Sequence, residues 1–161
     1  GAADALPLPV PVTCCTAKVH SCGTTPVISA AGTPSATATS GYVISGDKAR
    51  GPKSNGSKSI GVLLYTESGR AMPPPVFGTG LLCLATPLSR ANQIEAVGGT
   101  NLMCDATFQF DMNAYARGLL GGNPKLFLSL PGNVITLQWW GRDTFGHGEY
   151  LSDGLEYVVC P

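Results

Sequence analysis

Apolar residues along the chain fall in short runs, not at helical spacing. Pro26–Ala30, Gly41–Ser45, Ile60–Thr66 and Gly80–Ala85 are the first four. Ala106–Phe110, Leu126–Leu130, Val134–Trp140 and Leu155–Cys160 follow. Turn-forming stretches separate them, among them SGDKARGPKSNGSKS, ESGRAMPPP, AVGGTN, GGNP, LPGN and FGHG. Many short runs punctuated by Gly, Pro, Asn and Ser predict an all-β fold, a sandwich of Ig-like or jelly-roll-like type. One segment breaks the pattern. Asp111–Leu120 (DMNAYARGLL) carries helix-compatible residues behind a candidate N-cap, Asp111, and Gly121-Gly122 would stop it. A short helix near residues 111–120 is therefore expected, crossing one end of the sandwich. No repeat recurs at a fixed period, so residues 14–161 read as one β-sandwich domain.

Residues 1–13 have a different pattern. Leu6, Leu8, Val10 and Val12 alternate with Pro7, Pro9 and Pro11. In an extended strand alternate N–H groups aim at opposite edges. The aliphatic positions supply all the donors on one edge, and the prolines leave the other edge without any. The aliphatic side chains also share one face. Proline favours extended backbone at the residue before it, which lowers the entropy lost on docking. This segment is expected to be an extended N-terminal arm acting as a donor strand. Leu6, Leu8, Val10 and Val12 would fill acceptor pockets, and Pro7, Pro9 and Pro11 would block the second edge. The acceptor edge belongs either to the same chain or to a neighbouring copy. Donation without closure gives a filament.

Composition narrows the classes. The 161 residues include 21 Gly and 13 Pro, about one residue in five and roughly twice ordinary usage. Only 12% are charged, with ten basic residues against ten acidic ones. A net-neutral chain lacks the electrostatic footprint of a nucleic-acid or anionic-membrane binder. The apolar runs are too short for a membrane-spanning helix, so no membrane insertion is expected. Neutrality conceals a local asymmetry. Lys48, Arg50, Lys53 and Lys58 outweigh Asp47 in one loop, and Asp143, Glu149, Asp153 and Glu156 outweigh Arg142 in the tail. These are either two solvated surfaces or complementary ends that meet between copies.

Six cysteines, Cys14, Cys15, Cys22, Cys83, Cys104 and Cys160, include no CxxC pair, and His20 and His147 lie far apart in sequence. Disulfides account for them better than a metal does, so no cofactor or metal is expected. Disulfides imply an oxidising compartment, hence an extracellular, secreted or cell-surface protein. Six cysteines permit 15 pairings, which sequence alone does not resolve. Enzymatic motifs are thin. There is no GxSxG elbow, and His147 sits in a Gly-rich turn. Asp143, Glu149 and Asp153 do not have the spacing of a calcium loop. No catalytic residues are assigned, and the chain is not expected to be an enzyme. Trp139-Trp140 is more suggestive. Neighbours on a strand face opposite ways, so one Trp should be core and the other a ligand or packing surface.

Several stretches taken together resemble a known family. They are Cys15–Lys18, Gly32–Ala36, Gly69–Ala71, Gly80–Ala85, Asp111–Ala114, Gln138–Asp143 (QWWGRD) and Leu151–Pro161 (LSDGLEYVVCP). They resemble a secreted bacterial domain of unassigned activity that commonly closes longer surface proteins. The likeness runs from about Cys15 to the end. It implies a secreted, disulfide-bonded β domain. That family often has a Cys just before QWW, where this chain has Leu137, and Cys14 is extra here. The pairings this implies are Cys83–Cys104 and Cys15–Cys22, leaving Cys14–Cys160 within the chain or between copies. The expected function is a secreted structural subunit that partners copies of itself in a filament or pilus-like polymer. The alternative is a cell-surface adhesive module whose exposed Trp139 or Trp140 binds surface glycans.

Overall fold

The run Ile60–Thr66 has no polar alternation, and the structure shows why: both of its faces are covered. The computed structural model describes residues 10–143 and 148–161. Its strands are β1 (Val12–Cys14), β2 (Val27–Gly32), β3 (Tyr42–Ala49), β4 (Ile60–Thr66), β5 (Val76–Phe77) and β6 (Gly80–Leu81). β7 (Ser89–Glu95), β8 (Ala106–Asp111), β9 (Val134–Arg142) and β10 (Glu149–Val158) complete the set. A five-stranded antiparallel sheet runs in the order β1-β10-β9-β4-β7, and a three-stranded sheet in the order β2-β3-β8. The two pack face to face as a β-sandwich, as the turn spacing predicts. β5 and β6 form a small hairpin of their own.

The main core lies between the sheets. Ile28, Ile44, Phe108 and Phe110 enter from the three-stranded side, and Leu63, Tyr65, Ile135, Leu137 and Trp139 from the five-stranded side. At its centre Phe108 stacks on Trp139, with ring centroids 5.2 Å apart and planes 22° apart. Each ring lies against a glycine of the opposite sheet. A Cβ at Gly46 on β3 would come within 2.8 Å of the Trp139 indole, and one at Gly61 on β4 within 2.6 Å of the Phe108 ring. The two aromatics thus exchange places across the interface, and only glycine leaves room for either.

A second apolar cluster covers the outer face of the five-stranded sheet. Val62, Leu64 and Leu151 point outward there and pack under Leu82, Cys83 and Leu84. This cover explains the continuous apolar run of β4, which is buried on both faces.

Element boundaries differ from the sequence expectations at several places. The helix α1 spans Met112–Ala116, with the Asp111 side chain accepting the Ala114 N–H as expected of the N-cap. It stops at Arg117 and not at Leu120. Gly118, at φ +78°, sends its N–H to Tyr115 O, and Leu119 sends its N–H to Ala114 O. That is a Schellman closure, so Gly118 ends the helix before Gly121-Gly122 can. Of Leu126–Leu130, expected as a strand, Leu126–Ser129 is a 3-10 turn that buries only Leu128. The segment lies between Pro124 and Pro131, neither of which can donate a ladder hydrogen bond. Of Gly80–Ala85 only Gly80–Leu81 is strand. Ser89–Glu95 is a strand that its polar sequence, SRANQIE, did not advertise. It is an edge strand, with one side open to water.

The glycine-for-aromatic exchange makes a direct stability prediction. Gly61→Ala forces the Phe108 ring to move and should destabilise the fold by about 1–3 kcal/mol. Urea unfolding followed by tryptophan fluorescence measures this, and an unchanged midpoint would show that the ring is not confined.

Candidate functional site

The outer face of β9 carries Thr136, Gln138 and Trp140, and each secures part of the cover. Gln138 is fully buried. Its amide nitrogen donates to Leu81 O (2.8 Å) and Ser152 O (2.7 Å), and its oxygen accepts the Cys83 N–H (2.9 Å). One side chain thereby satisfies two backbone groups of the covering segment, which forms no ladder with β9, and one at the bulge of β10. Thr136 Oγ1 donates to Glu156 (3.0 Å), which in turn pairs with Arg70 (2.6 Å) from the covering segment. Burial pushes the Glu156 carboxyl up, but the hydrogen bonds from Arg70 and Thr136 outweigh it and hold the group below its ordinary range.

The Trp doublet divides as expected. Trp139 is core, 2% exposed, and Trp140 faces outward. Its ring lines a cavity of about 220 Å³ together with Leu64, Phe77, Leu82, Leu88, Arg90 and Glu149. The Trp140 indole N–H donates to Glu149 (3.2 Å), and the Arg142 guanidinium lies 5.9 Å from the ring centroid. An aromatic wall flanked by two guanidinium groups and one carboxylate is suited to a ligand with both apolar faces and hydroxyl groups.

The LSDG stretch belongs to β10. A bulge between Leu151 and Gly154 displaces Ser152 and Asp153 from the ladder. Ser152 Oγ accepts the Trp139 N–H (3.0 Å), and Asp153 accepts the Ile28 N–H (2.9 Å) from the other sheet. Burial pushes the Asp153 carboxyl up. Gly154 lets Cys14 approach, since a Cβ there would lie 2.8 Å from the Cys14 sulfur. Gly141 likewise makes room for the Tyr150 ring. Gln138, Ser152 and the two glycines were missed by sequence reasoning. A polar residue inside an apolar run was the available signal for Gln138.

A second cluster forms where two loops meet at the β3 end. Residues 20–24 make a tight turn, closed by His20 N–H to Thr24 O (3.0 Å) and Gly23 N–H to His20 O (2.9 Å). The turn places His20 and Cys22 beside Cys104. His20 Nδ1 lies 3.3 Å from the Cys104 sulfur and 3.6 Å from that of Cys22. His20 Nε2 donates to Lys48 O (3.0 Å), and the ring stacks on Tyr150 at 4.8 Å. Burial pushes the His20 pKa down. Arg50 and Asp143 adjoin, 3.7 Å apart and both buried, and Ser21 Oγ donates to Asp143.

The cysteine pairing differs from the expectation. Cys15 bonds Cys83 and Cys22 bonds Cys104, with Cα separations of 5.7 and 6.1 Å. The first fastens the residue after β1 to the outer cover, and the second joins the 20–24 turn to the loop before β8. Cys14 and Cys160 are free thiols, both buried, so four of the six expected disulfide cysteines are bonded. A Cys14–Cys160 bridge within the chain is excluded by distance. Cys14 pairs with Gly154, and Cys160 lies six residues beyond it, roughly 20 Å of extended chain. Both thiols are buried within the chain. Burial raises the Cys14 thiol above its ordinary pKa.

The charged tail is likewise engaged within the chain. Asp143 meets Arg50 and Ser21, Glu149 holds Trp140, Asp153 holds Ile28, and Glu156 holds Arg70. The basic loop and the acidic tail do meet, at Arg50 and Asp143, but inside one molecule.

Of the arm, Leu6, Leu8, Pro7 and Pro9 lie outside the described residues, as does His147. Val10 is 79% exposed and Val12 54% exposed. Val12 and Thr13, assigned to the arm from the sequence, are already in β1, paired with Glu156 and Leu155 of their own chain. Among the described residues no helix is long and apolar enough to cross a membrane. No protein-family model, curated protein or solved structure matches the chain.

Proposed function

We propose that the chain is an extracellular structural subunit that assembles with copies of itself through the segment leading into β1. The observation that carries this reading is the position of that segment. β1 is a three-residue strand at the very edge of the five-stranded sheet, and the chain approaches it with Val10 and Val12 turned to solvent. Val12 pairs in its own sheet, so the strand offered to a neighbour lies ahead of it. β7 forms the opposite edge of the same sheet. An arm from one copy laid on β7 of the next extends the sheet in one direction and does not close, which yields a filament. The prolines at 7, 9 and 11 leave the added strand with one usable edge and stop further sheet growth. Two disulfides, each typically worth ~2–4 kcal/mol, suit a subunit exposed to an oxidising exterior. The likeness of its QWWGRD and LSDGLEYVVCP stretches to a secreted bacterial domain points the same way.

Removing residues 1–11 should leave a folded monomer by light scattering after size exclusion, while the intact chain elutes as a concentration-dependent oligomer. Equal masses for the two chains would refute the proposal.

The Trp140 cavity favours a second reading, a module that binds surface glycans. Its aromatic wall, with Arg90 and Glu149 at hand, matches the apolar face and hydroxyl rim of a sugar ring. Glycan-array binding that falls at least tenfold in Trp140→Ala supports it. Binding unchanged by that substitution, or absent from the intact chain, removes it.

A further inference from the structure

The cluster at His20, Cys22 and Cys104 offers more than a disulfide. We propose that these residues form a redox-gated site for one divalent zinc-class cation, closed when the sulfurs are bonded and opened when they are reduced. The geometry of the histidine carries the inference. Lys48 O is only an acceptor, so His20 Nε2 must be the protonated nitrogen and Nδ1 carries the lone pair. That lone pair faces both sulfurs, at 3.3 and 3.6 Å. Zinc bonds of ordinary length at a tetrahedral angle separate nitrogen from sulfur by about 3.6 Å. A carbonyl that fixes the ring from its far side is the usual support of a metal-bound histidine. Stacking on Tyr150 restrains the ring further. All three donors lie within 4.8 Å of one another.

The charge balance selects the ion. Two thiolates and one dication sum to zero, and the adjacent Arg50 and Asp143 carry opposite charges 3.7 Å apart. A monovalent ion would leave net negative charge in a buried place, which is costly. Two thiolates and an imidazole are soft to borderline donors, which favour zinc over calcium or magnesium. The fourth position falls to water from the adjoining concavity, lined by Ser21, Thr79, Asp143 and Glu149.

The switch balances. A small dithiol reduces the Cys22–Cys104 bond, giving two electrons and two protons to the protein sulfurs and becoming a disulfide itself. The cation then displaces both thiol protons to solvent. A small-molecule disulfide then takes the two electrons, and two protons from solvent, to become two thiols, which restores the Cys22–Cys104 bond and releases the cation. Neither Cys14 nor Cys160 takes part.

Cobalt(II) serves as the probe. The full-length chain, with Cys15→Ser and Cys83→Ser so that Cys22–Cys104 is the bond left to reduce, is treated with dithiothreitol, desalted without oxygen and titrated. One equivalent should bind with a thiolate-to-cobalt charge-transfer band and the visible bands of a tetrahedral ion, while the near-ultraviolet dichroism of the fold persists. The oxidised chain should bind at least tenfold more weakly. His20→Ala, which leaves both sulfurs in place, should weaken binding of the reduced chain by about 10–100-fold, and Cys14→Ser should leave it unchanged. Four outcomes would overturn the proposal: no uptake by the reduced chain, loss of its near-ultraviolet signal, equal affinity in His20→Ala, or loss of the site in Cys14→Ser.

Discussion

The sandwich depends on two aromatic rings that each occupy a space the other sheet leaves empty. Phe108 lies over Gly61 and Trp139 over Gly46, with the rings stacked between them. This contact sets the lateral position of the sheets, because each ring fits only opposite its own glycine. It also sets which face of β9 is inside. Once Trp139 points inward, strand alternation turns Gln138 and Trp140 outward. The outer cover, its hydrogen bonds to Gln138 and the Trp140 cavity all follow from that choice.

The covering segment is an unusual use of a sheet's second face. Most of its length forms no ladder with the strands beneath. It is held instead by the side chains of Gln138, by the Arg70–Glu156 pair and by the Cys15–Cys83 bond. A buried amide with three backbone partners is costly to disturb, since losing it strands three polar groups away from water. The two disulfides act at points where the chain is least regular. Cys15 itself stands at φ +66°, turning the chain off β1. Polar satisfaction and covalent bonds thus replace strand pairing where the loops are long.

Much of the fold was legible in the sequence, for identifiable reasons. β4 and β9 were found because apolar β-formers run without interruption there, and the Asp111 N-cap because its carboxylate stands just ahead of a helix-compatible run. β7 was missed because an edge strand with one wet face has no need of an apolar run. Leu126–Ser129 misled because apolar composition does not reveal whether a segment can reach a sheet. The start of β10 was hidden by its bulge, where Ser152 and Asp153 read as turn residues. The candidate sites were less visible. The split of Trp139 from Trp140 followed from strand alternation alone. The grouping of His20 with Cys22 and Cys104 depends on the turn at residues 20–24 and on a contact spanning 84 positions, which no local pattern encodes. The cysteine pairing failed for the same reason.

Assembly through the segment ahead of β1 is the reading that joins these features: an edge strand, exposed valines, an opposite free edge and a fold stapled internally. The acidic tail makes its contacts within the molecule, so in this reading backbone pairing carries the association. Negative-stain electron microscopy of the intact chain tests this most directly. The account predicts unbranched filaments one subunit wide, present at high salt as well as low. A field of isolated particles about the size of one sandwich, at every concentration examined, would contradict it.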